Sequence, residues 1–137
     1  MIDFKSELGS VIVDARNLNG ALDDATQDLR LALETDLKAR QAMKEMRQAY
    51  EDAEAEVSAE VMFNATGKNG ETRKAELEAA LVTARRTGTL ARVWAMKLAA
   101  EQQAEDAAMA LKQAEAQFSG VKHAADLVGN ILRVLGS

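Results

Sequence analysis

Between Lys68 and Lys97 the chain carries seven basic side chains against three acidic ones, Glu71, Glu76 and Glu78, a local charge of +4. The remaining residues hold ten basic and nineteen acidic groups, or −9, and the whole chain stands at −5. Trp94, the only tryptophan, lies inside the basic stretch beside Arg92. Single-stranded nucleic acid needs this combination: cations for its phosphates and a ring on which a base can stack. Lys68, Arg73, Lys74, Arg85, Arg86, Arg92 and Trp94 are therefore the candidate nucleic-acid contacts. A structural reading competes with it. The cations would be solvated or paired with acidic neighbours, and Trp94 would pack one helix onto another. With aromatics at 4% of the chain, a lone tryptophan is expected to serve as a packing anchor.

Other chemistry finds little material. The chain has no cysteine and a single histidine, His123, so disulfides, thiolate zinc sites and cysteine nucleophiles are excluded. By heptad phase His123 falls on the outer face of its helix. The acidic run Glu51, Asp52, Glu54, Glu56 and Glu60 spreads around a helix, and solvation accounts for it. Ser6, Ser10, Ser58, Ser119 and Ser137 have no histidine partner at a readable spacing. Gly67-Lys68-Asn69-Gly70 lacks the length of a Walker loop and the strand before it. No enzyme, metal or cofactor is expected.

The elements that position these residues are long helices. The chain contains no proline, and an interior proline costs a helix about 3 kcal/mol. From Met1 to Val61 one heptad seam runs without a break. Met1, Leu8, Ala15, Leu22, Leu29, Asp36, Met43, Tyr50 and Val57 hold one position, and Phe4, Val11, Leu18, Ala25, Ala32, Ala39, Met46 and Ala53 the other. Asn17 to Gly20 looks like a breaker, but the phase continues through it. A continuous or gently kinked helix over 1–62 is expected. Asp36 is the one charged seam residue. Either it fixes register, or Leu33 and Leu37 take over locally and Asp36 turns to water; the second is the expectation.

Phe63 to Gly70 reads as a loop, with Gly67 and Gly70 supplying positive φ angles and Asn69 capping the next helix. A short helix over 71–86 follows, with Leu77, Ala80, Leu81 and Ala84 as its apolar face. Gly88 is its C-cap candidate and Thr89 the next N-cap. A second long helix over 90–135 carries Leu90, Lys97, Ala104, Leu111, Phe118, Ala125 and Leu132 at one seam position. Val93, Ala100, Ala107, Ala114, Val121, Val128 and Leu135 hold the other. The expected fold is all-α and a single domain: a long antiparallel helical hairpin, coiled-coil-like with an alanine-rich seam, and a short helix at the turn.

At about 1.5 Å per residue the two long helices measure about 90 and 70 Å. If both leave the same turn, Leu135 reaches only to about Leu18, and residues 1–17 overhang without a partner. That end is also strongly apolar. Phe4, Leu8, Val11 and Ile12 on the first helix, with Leu127, Val128, Ile131, Leu132 and Leu135 on the second, are the expected oligomer interface, most simply in a two-fold dimer. The alternative is that residues 1–17 fold back to make a three-helix end. No run approaches a membrane span, the opening residues do not lead one to expect a signal peptide, and a membrane partner is not expected.

The stretch Thr66-Gly67-Lys68-Asn69-Gly70-Glu71-Thr72-Arg73-Lys74-Ala75-Glu76-Leu77 resembles a G-K-N, three residues, R-K, two residues, L pattern of small all-helical phage and prophage proteins. Those proteins accompany phage replication and recombination genes, and Phe118 matches a phenylalanine of their C-terminal helix. Where the family has an acidic, proline-containing linker, this chain has Thr87-Gly88-Thr89. The resemblance points to Lys68, Asn69, Arg73 and Lys74, and implies a location in the cytoplasm of a bacterial host. Asn69 as a cap and Arg73 bonding loop carbonyls is the structural alternative for these positions. The leading expectation is a non-enzymatic phage or mobile-element accessory protein acting as a coiled-coil oligomer on itself and on a host or phage protein. The alternatives are a single-stranded nucleic-acid or recombination accessory using the basic end, and a purely structural or chaperone-like coiled coil.

Overall fold

The computed structural model describes residues 4–136, with side chains described from Gly9 onward except that of residue 11. Among these residues the chain forms three helices and no strand: α1 (Phe4–Phe63), α2 (Gly70–Thr87) and α3 (Ala91–Leu135). Helix α1 packs against α3 as a helical hairpin. It runs unbroken through Asn17 to Gly20, which excludes a fold-back of its first turns. A Cβ placed on Gly20 meets nothing within 4 Å, so this glycine is a local weakness and not a turn.

The seam read from the sequence is the seam of the fold. From Ala15 to Val57 every described residue at the two seam positions of α1 is buried or half-buried, and on α3 the same holds from Leu90 to Leu132. Leu135, the last seam residue, is 41% exposed. The buried set is mostly alanine: Ala25, Ala100, Ala104, Ala107 and Ala114. Small facing side chains let two helices approach closely. Asp36 departs from the expectation. It is buried at 4% exposure, whereas Leu33 and Leu37 are 48% and 65% exposed. The heptad phase decides this: Asp36 sits in line with Leu29 and Met43, and rotating it outward would take the flanking seam residues with it.

Two compact units can be distinguished, one built from Leu37–Asp106 and the other from the rest of the described chain. In the first, Tyr50, Leu81, Ala84 and Leu90 are buried together, with Ala53, Val57, Leu77, Val93 and Trp94 packed against them. All three helices meet there, and α2 occupies the last turns of α1. In the second, Ala15, Leu18 and Asn19 of α1 line a cleft with Ala125, Val128, Gly129 and Leu132 of α3. The expected overhang is therefore shorter, since Leu132 already stands beside Ala15 and Leu18. The reason is the start of α3. Trp94 meets Tyr50 and not the end of α1, and Ala53 and Val57 pack into the core that Leu81 and Ala84 of α2 share.

The connection between α1 and α2 is held by side chains. The Asn69 carboxamide oxygen accepts from Thr72 N and Thr72 Oγ1, both at 2.8 Å, and caps α2 as expected. Arg73 Nε donates to the Gly67 carbonyl at 3.0 Å, and Thr66 N donates to the Glu76 carboxylate at 3.2 Å. The positive φ angles expected at Gly67 and Gly70 do not occur. Gly67 is required for space instead: a Cβ there would meet Arg73 N and Thr72 Cγ2 at 3.0 Å. Between α2 and α3 the backbone makes the turn. The N–H groups of Gly88 and Leu90 both donate to the Ala84 carbonyl at 3.1 Å, and Gly88 is the C-cap of α2 as expected. A Cβ on Gly88 would stand 2.7 Å from Ala84 Cα.

Candidate functional site

The apolar face of α2 places Ala84 in the core, and Arg85 therefore comes to lie over the junction of the three helices. Its Nε donates to the Tyr50 hydroxyl, and a terminal nitrogen stands 3.8 Å from Glu54. Its guanidinium carbon lies 5.7 Å from the Tyr50 ring centroid and 5.0 Å from that of Trp94. The two rings are 5.1 Å apart and tilted by 53°, an ordinary edge-to-face range for aromatic pairs. Lys97, at a seam position one turn beyond Val93, brings Nζ to 5.0 Å from the Tyr50 ring and 4.7 Å from the Trp94 ring. Two cations and two rings thus form one cluster. Each cation–π contact is worth about 0.5–1 kcal/mol at an exposed site and more when desolvated.

Carboxylates pair with these cations. Lys97 Nζ lies 3.3 Å from Glu101 Oε1, and an Arg47 nitrogen donates to Glu101 Oε2 at 3.4 Å. Oε1 is shielded from solvent, with the Lys97 ammonium as its ion-pair partner. Burial pushes the Glu101 carboxyl up, but the pull of Lys97 and then of Arg47 outweighs it and leaves the group below the ordinary carboxylate range. Burial pushes the Tyr50 hydroxyl above its ordinary 10.0, helped by Glu54 and opposed by Arg85. The cluster is an ion-paired joint between helices.

The seven nucleic-acid candidates are consequently divided. Arg85 and Trp94 belong to the joint, and Trp94 fills the packing role expected of it. Arg73 holds the loop, as its structural alternative proposed. Lys68, Lys74, Arg86 and Arg92 are exposed and form no ion pair within the described chain. Lys74 and Arg86 stand twelve residues apart on α2, about a third of a turn out of line, so they do not form one stripe. Tyr50 and Lys97 were missed as site residues, although a signal existed. Each holds a seam position, and a lysine in a seam requires a partner that can accept its charge.

The candidate oligomer interface is divided too. The side chains of Phe4, Leu8 and Val11 lie outside the described residues. Val128 and Leu132 line the cleft against α1. Ile12, Leu127, Ile131 and Leu135 are 40–51% exposed, and Val134 is 73% exposed. Leu127, Asn130, Ile131, Val134 and Leu135 together line a shallow groove on α3. His123 is exposed. Among the described residues no three histidine or carboxylate side chains converge as a metal site, and no helix is long and apolar enough to cross a membrane. No protein-family model matches the chain, and neither does any curated protein or solved structure.

Proposed function

We propose that this protein is a non-enzymatic interaction protein that works through protein contacts as a coiled-coil oligomer, in the cytoplasm of a bacterial host. The observation that carries this reading is the exposed aliphatic face near the end of α3. Leu127, Ile131 and Val134 are each about half exposed or more, at 51%, 49% and 73%, and they stand on one side of one helix. An exposed aliphatic patch of this kind offers a contact surface to a partner. The engagement of Arg85, Lys97 and Trp94 in the joint favours it over the nucleic-acid reading, because the joint holds the ring and one of the cations that a base-stacking platform needs. The likeness of Thr66 to Leu77 to phage accessory proteins supports a phage or mobile-element setting, with Asn69 and Arg73 serving the loop in this chain.

Sedimentation velocity over a range of concentrations tests the reading. The chain of 14.8 kDa should sediment as a dimer or larger species. Ile131→Glu should return it to the monomer while its helical circular dichroism is retained. A chain that stays monomeric at the highest soluble concentration refutes the proposal.

A further inference from the structure

The exposed face of α3 extends beyond its aliphatic part. Gly120, Ala124, Leu127, Ile131 and Val134 follow the alternating four-three spacing of a heptad and share one side of the helix, all of them exposed except half-buried Ala124. This stripe is distinct from the seam of Val121, Ala125, Val128 and Leu132 that faces α1. Its two halves differ in size. Small residues occupy the first half and branched aliphatic ones the second, with Leu127 between them. Gly120 stands inside a helix at a cost of about 1 kcal/mol relative to alanine. Nothing in its own chain explains it, since a Cβ there meets no atom within 4 Å.

We infer that a second copy of this chain packs antiparallel on this stripe, related by a two-fold axis at Leu127. The inference rests on the oligomer reading above and supplies its geometry. Reversing the stripe about Leu127 sets Val134 of one copy opposite Gly120 of the other, and Ile131 opposite Ala124, so large meets small on either side of the Leu127 pair at the axis. A parallel pair would set large against large and leave a void between the glycines. The charge of the region permits self-association. From Gln117 to Gly136 it holds Lys122, Arg133 and Asp126, close to neutral, whereas the whole chain is at −5. A patch on the order of a few hundred Å² per copy falls short of the about 800 Å² per partner of a standard interface, so the expected dimer is a weak one.

Gly120→Leu tests the register without touching the fold, because the space at Gly120 is open within its own chain. Sedimentation equilibrium should show the dimer weakened by about tenfold or more, with thermal stability of the helix unchanged or raised. Adding Val134→Ala to Gly120→Leu exchanges the small and large positions and should restore much of the loss. The absence of native cysteine allows a second test of direction. Ala124→Cys mixed with Ile131→Cys should form a covalent dimer on oxidation, because only thiols whose Cα atoms lie within about 7 Å can bridge. Ile131→Cys alone should not, and Lys122→Cys, off the stripe, is the control. If the wild-type chain dimerises but Gly120→Leu has no effect, or Ile131→Cys links to itself, the antiparallel register is overturned and the oligomer reading stands. If the wild-type chain is a monomer, both fall.

Discussion

Arg85 and Arg86 are adjacent, alike in charge, and both in the last turn of α2, so replacing each with alanine changes helix propensity and the helix-dipole interaction equally. Their surroundings differ. Arg85→Ala removes cation–π contacts at 5.0 and 5.7 Å, worth about 0.5–1 kcal/mol each. It also removes a hydrogen bond to the Tyr50 hydroxyl, worth about 1 kcal/mol, and leaves that buried oxygen facing Glu54. The pair with Glu54 at 3.8 Å, between side chains about one-third exposed, adds no more than about 0.5 kcal/mol. The total is about 2–3 kcal/mol for Arg85, against at most about 0.5 kcal/mol for exposed Arg86. Urea unfolding followed by circular dichroism measures both, and heat should separate the two variants by roughly 6–12 °C. Equal, small losses at the two positions would refute the claim that Arg85 is part of the joint. It would then return to the set of free cations at that end.

The single tyrosine permits a clean titration: the midpoint of tyrosinate absorbance should lie above 10.0 in the folded chain and fall to the ordinary value in urea. Since the folded value is raised, stability should decline as pH climbs from the unfolded to the folded midpoint. Glu101 has the opposite sign. Its lowered value contributes stability above the unfolded carboxyl range near 4.5, and that stability is lost as pH falls through the folded value, so Glu101→Gln should flatten the acid limb of a stability–pH curve. Asn69→Ala should cost about 1 kcal/mol by removing the cap of α2, with Asn69→Asp retaining most of it; thermal unfolding is the measurement. Gly20→Ala should stabilise by up to about 1 kcal/mol, because its site is helical and open, whereas Gly88→Ala should destabilise through the 2.7 Å approach to Ala84.

The sequence by itself determined the helices, their seams and the capping of α2. These depend on short-range periodicity and on side chains bonding within three or four residues, as Asn69 does with Thr72. The fate of Asp36 was set by the same phase, yet was read wrongly by treating one residue as free to rotate. Tertiary structure alone decided three things. Arg85, Tyr50, Trp94 and Lys97 come from three helices, and no local pattern announces that they converge. The point where α3 meets α1 depends on how much of α1 is covered by α2, which moved the expected overhang by about a turn. The exposed aliphatic residues of α3 were legible as apolar, but only the packing of α1 onto one face showed which remain uncovered. Val128 and Leu132 are taken by the seam, and Leu127, Ile131 and Val134 are left outside. A hydrophobic pattern specifies that a face must be buried, whereas the geometry of the folded chain determines whether the chain buries that face itself.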